Sequence, residues 1–73
     1  MTDTVLLRQA VDRSGYKIKF IAESIGLSYQ GFLNKMKGLS QFGNEEIYAI
    51  CKLLKIDESE MINIFFTEKV DKT

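Results

Sequence analysis

The stretch that most constrains this chain is residues 16–38, YKIKFIAESIGLSYQGFLNKMKG, where two apolar stripes at helical spacing are divided by a glycine. Ile18, Ile21, Ala22 and Ile25 stand at i, i+3, i+4 and i+7, which predicts a helix over residues 17–25 with one buried face. Gly26 follows where a left-handed residue turns the chain sharply. Ser28 is a good N-cap for a second helix reaching about Lys37, before Gly38. Its stripe is Tyr29, Phe32, Leu33 and Met36, and the opposite face carries Gln30, Gly31, Asn34, Lys35 and Lys37. Helices this short bury their stripes only by packing on each other and on a shared core. Ala22 is small enough for close approach, and Ile21, Ile25 and Phe32 are the expected filling of the wedge between the two.

The rest of the chain supplies three more helical segments. Thr4–Ser14 has Asp3 or Thr4 as its cap, Leu7 and Val11 on one face, and Gly15 as its stop. After the loop GLSQFGN, a fourth helix begins at Asn44 or Glu45 and runs to Leu54, with Ile47, Ile50, Cys51 and Leu54 inward. Asp57 followed by Glu60 reads as an acidic relative of the capping box, opening a fifth helix with Met61, Ile64 and Phe65 inward. Phe65 and Phe66 are consecutive, so one helix cannot bury both on one face. Phe66 to Val70 reads as a last turn, an extended arm or a short strand. There is no proline and there are five glycines, which fits helices joined by short turns. The expected fold is all-α, one domain over residues 1–73, with a core over 4–66 and a tail over 67–73.

Chemistry-bearing residues are few. The chain has no histidine and one cysteine, Cys51, so the usual partners for serine or thiol nucleophiles and for a metal site are missing. No glycine-rich phosphate loop is present. The expectation is a non-enzyme without catalytic residues, metal, cofactor or small-molecule substrate. The acids at helix starts, Glu45, Glu46, Asp57, Glu58 and Glu60, read as complements to the helix dipoles. No apolar run reaches membrane-span length and no signal-peptide pattern is seen, so a cytoplasmic protein without a membrane partner is expected. Net charge is zero but unevenly placed. Residues 1–40 carry six cations against three acids, +3, and residues 41–73 carry four against seven, −3. One half can face phosphate while the other faces away or meets a partner.

The chain resembles the Cro/CI-type (lambda-repressor-like) helix-turn-helix family. The resemblance rests on IAESIGLS for the turn, on the spaced Phe32, Lys35, Gly38 and Phe42, and on EIYAICKLLKI for the following helix, and covers residues 5 to about 66. It is nearest in kind to short regulators of temperate phages of Gram-positive bacteria. The resemblance implies a five-helix lambda-repressor-like domain in a bacterial host cell. Such domains bind operator DNA, usually as dimers, and govern the choice between lysogeny and lytic growth. Carried onto this chain, the recognition positions are Tyr29, Gln30, Gly31 and Asn34. Gln30 and Asn34 have the amide chemistry that pairs with adenine. Ser28 and the helix N-terminus it caps would meet a phosphate. Lys17, Lys35 and Lys37 would hold the DNA backbone, and Lys19 belongs to the same basic set, which a merely solvated face would also explain.

Three features depart from that pattern. Ile18 stands where many relatives carry glutamine, Gly31 lowers helix propensity by about 1 kcal/mol relative to alanine, and Phe20 lies off the buried stripe. Ile18, Phe20 and Tyr29 would form an apolar patch where a DNA reader needs polar groups. The same family contains antirepressors, modulators of repression, that bind the cognate CI-type repressor itself. This chain is similar to them in size, balanced charge and hydrophobic second helix. Two partners therefore stand side by side, operator DNA and the repressor's DNA-binding domain, with a homodimer also open.

Overall fold

The computed structural model describes residues 1–67. Five α-helices and no strand are present among them: α1 Thr4–Ser14, α2 Ile18–Ser24, α3 Tyr29–Met36, α4 Asn44–Leu54 and α5 Glu58–Phe65. None is long and apolar enough to cross a membrane. The part of the C-terminal segment at residues 68–73 lies outside the described residues.

Side chains near the helix starts satisfy several of the orphan backbone groups there. Asp3 accepts from the N–H groups of Val5 and Leu6 at α1, Ser28 from Gly31 at α3, and Asp57 from Glu60 at α5. The full capping box expected at Asp57 is only half made, because the Glu60 carboxylate turns to Arg13 of α1 at 2.7 Å. The reaching-back acid occurs instead at α4, where Glu46 Oε1 accepts from the Gly43 N–H at 2.9 Å.

α2 is shorter than its apolar stripe implies. Lys17 is in extended backbone as the N-cap and Ile25 is the C-cap. The helix ends in a Schellman arrangement: Gly26 N–H donates to Glu23 O and Leu27 N–H to Ala22 O at 2.9 Å. Gly26 has φ +84°, a conformation in which a side chain is strained. α3 ends the same way one residue earlier than expected, with Lys37 as C-cap and Leu39 N–H donating to Asn34 O at 2.9 Å. At the end of α4 the left-handed position falls on Lys55, φ 57°, which lets the Ile56 N–H reach Cys51 O and sends Ile56 into the core.

α2 packs on α3 and α4, and α1 packs on α3, α4 and α5. The core is Leu7, Ala10 and Val11 of α1, Ile21 and Ala22 of α2, Phe32 and Met36 of α3, Ile47 and Ile50 of α4, and Ile64 and Phe65 of α5, with Phe42 and Ile56 from the connecting segments. No polar or charged residue is buried among the described residues. Phe42 stands edge-on to both Phe32 and Phe65, with ring centroids at 6.2 and 5.5 Å, so one loop aromatic joins α3 to α5. Ala22 is fully buried, as its role as the small contact residue requires. Ile25 and Leu54, expected in the core, line its edge instead, because both helices end at their positions and turn away. Phe65 is buried and Phe66 exposed, the division that consecutive helix positions demand.

Candidate functional site

The α2–α3 unit contains all the residues singled out as a binding face. The side chain of Ser28 caps α3 through a 3.0 Å hydrogen bond from the Gly31 N–H, and its own position is exposed. Gln30 Nε2 donates to Asn34 Oδ1 at 3.0 Å across one helical turn. The two amides are therefore coupled, and Gln30 Oε1 remains available as an acceptor beside the remaining amide donors. This is the pair the sequence places on the polar face, and the structure brings it together.

The lysines divide into two groups. Lys17, Lys19 and Lys37 are exposed and make no ion pair among the described residues. Lys35 is different. Its Nζ donates to Gln41 O at 2.6 Å and lies 3.5 Å from Glu46 Oε1, with its side chain only 19% exposed. Lys35, expected to hold a phosphate, here ties α3 to the following loop and to the first turn of α4. Lys37 sits at the C-terminal end of α3, roughly 14 Å along the helix from Ser28 at 1.5 Å per residue. The two belong to opposite ends of the face.

The apolar patch also changes composition. Ile18 is half-buried and packs against the core, so it does not belong to an exposed patch. Phe20 and Tyr29 are 47% and 50% exposed. Tyr29 therefore does not close the edge of the core. Sequence reasoning missed Tyr16, which stacks on Phe20 with ring centroids 5.0 Å apart at 44°. The signal was there in the i, i+4 spacing of the two aromatics, but Tyr16 precedes the helix and so fell outside its stripe. Gly31 also acquires a local reason. A Cβ built there would lie 3.0 Å from Ser28 Oγ, so the glycine leaves room for the cap.

Elsewhere, an open cavity of about 200 Å³ is lined by Met1, Thr2, Gly38, Ser40 and Gln41, smaller than the pockets that usually enclose a small ligand. Cys51 is half-buried. Burial pushes its thiol pKa up, and the nearby Glu60 charge adds to that. Both keep it protonated, which opposes nucleophilic use. Comparison of the chain with protein-family models, curated proteins and solved structures gives no match.

Proposed function

We propose that this chain is a helix-turn-helix regulator of the Cro/CI type, that α2 and α3 are its helix-turn-helix, and that this unit acts on the cognate repressor of a phage genetic switch. Docking on the repressor's DNA-binding domain would change the repressor's occupancy of its operator. The observation that carries this reading is the exposed aromatic pair of Tyr16, just before α2, and Phe20 on it, with Tyr29 half-exposed at the start of α3. Exposed aromatics of this kind are the usual anchors of protein interfaces. Zero net charge points the same way, since it weakens the phosphate attraction on which DNA binding rests. No catalytic role is assigned.

The test is co-elution of the chain with the repressor, together with the effect of the chain on repressor–operator binding. Phe20→Ala should weaken the complex by roughly 2 kcal/mol, about thirtyfold. The fold should change by no more than about 0.5 kcal/mol, because the ring is half-exposed. Absence of both co-elution and any change in repressor–operator binding would reject the reading.

A second reading, that the same face reads operator DNA directly, draws on the coupled Gln30–Asn34 amides. It predicts that Gln30→Ala and Asn34→Ala each lose about 1–3 kcal/mol for the specific site, with a steep salt dependence. Absence of specific binding to the neighbouring intergenic DNA at low salt would reject it.

A further inference from the structure

Charge is distributed across this molecule in a way that says something about the partner. Arg8 pairs with Asp12, Arg13 with Glu60 and Lys35 with Glu46. Lys17 and Lys19 have no such partner among the described residues, and in sequence each stands next to one member of the Tyr16–Phe20 stack, between the two rings. Glu23 is the one acid between residues 16 and 38, and although it stands one turn from Lys19 it forms no ion pair with it. The two aromatics thus have as immediate sequence neighbours ammonium groups with no ion-pair partner among the described residues.

Covering Phe20 and Tyr16 with a partner also strips water from those lysines. An ammonium that loses its hydration without gaining a counter-charge is strongly unfavourable. A basic, phosphate-gripping surface would add like-charge repulsion to that loss. We infer that the surface received by this face is an apolar recess rimmed by carboxylates. On the repressor it is an acidic flank rather than the residues that grip DNA phosphates. This rests on the protein-partner reading above and specifies its chemistry.

The experiment measures the affinity of the full chain for the purified repressor at low and high salt, for the wild type, Lys19→Glu, Lys52→Glu and Phe20→Ala. Lys19 lies in the first turn of α2, where a carboxylate complements the helix dipole, so the variant should remain folded. Circular dichroism checks this. Lys52→Glu makes the same change in net charge in the last turn of α4 and serves as the control. The expected result is that Lys19→Glu weakens the complex by roughly fivefold or more, that Lys52→Glu stays within about twofold, and that salt weakens the wild-type complex. Unchanged or tighter binding by Lys19→Glu, while Phe20→Ala still weakens the complex, overturns the acidic-rim inference and leaves the protein-partner reading standing. A wild type that shows no complex, or a Phe20→Ala variant that binds as well as wild type, fails the protein-partner reading itself. Loss of specific duplex-DNA binding in Lys19→Glu, with no repressor complex formed, overturns both in favour of DNA.

Discussion

Gly31→Ala distinguishes two accounts of the glycine inside α3. Helix propensity alone makes alanine better by about 1 kcal/mol. The local geometry opposes this. An added Cβ lies 3.0 Å from Ser28 Oγ, the atom that accepts from the Gly31 N–H and caps the helix. To relieve that contact the hydroxyl must shift, and the cap it provides is worth about 1 kcal/mol. The two effects are of similar size and opposite sign. Gly31→Ala in the wild type should therefore leave stability nearly unchanged or slightly lower. In a Ser28→Ala background there is neither cap nor crowding, and the same substitution should stabilise by about 1 kcal/mol. The coupling between the two sites is then about 1 kcal/mol, which urea unfolding of the four proteins resolves. In thermal unfolding the difference is roughly 4–8 °C for a domain of this size. An equal gain from Gly31→Ala in both backgrounds would show that the glycine does not serve the cap.

Lys35→Ala removes the hydrogen bond to Gln41 O and the ion pair with Glu46, and should lower stability by about 1 kcal/mol in urea unfolding; undiminished stability would return Lys35 to the set of free lysines. Cys51 should react slowly with an alkylating reagent in the folded protein and faster once unfolded, because burial and Glu60 both hold the thiol protonated. The folded thiol keeps its proton at pH values where the unfolded chain has lost it, so this group's contribution to stability is present below the ordinary thiol pKa of 9.0 and lost as pH rises through and beyond it. Stability measured on the two sides of that pKa should accordingly fall further in the wild type than in Cys51→Ala; equal declines would show that the thiol is not responsible.

The sequence by itself determined where the helices lie and which faces they bury. Apolar spacing, Asp3, Ser28 and Asp57 as caps, and Gly15 and Gly26 as stops are local signals, each acting within a turn or two of the chain. The polar face of α3 was legible for the same reason, since Gln30 and Asn34 are one turn apart and meet without help from the rest of the fold. What the tertiary structure decided depends on distances that no local pattern carries. Whether a lysine is free depends on what folds back against it: Lys35 is held by Gln41 and Glu46 from across a loop, while Lys19, one turn from Glu23, pairs with nothing among the described residues. Glu60 leaves its own helix cap because α1 brings Arg13 within 2.7 Å. Ile18 is covered by the core and Phe20, two residues away, is not. An apolar residue beside a helical stripe can be either edge of the core or exposed surface, and only packing against the neighbouring helices separates the two. Packing removed Ile18 from the candidate face and left Phe20 exposed, stacked on Tyr16.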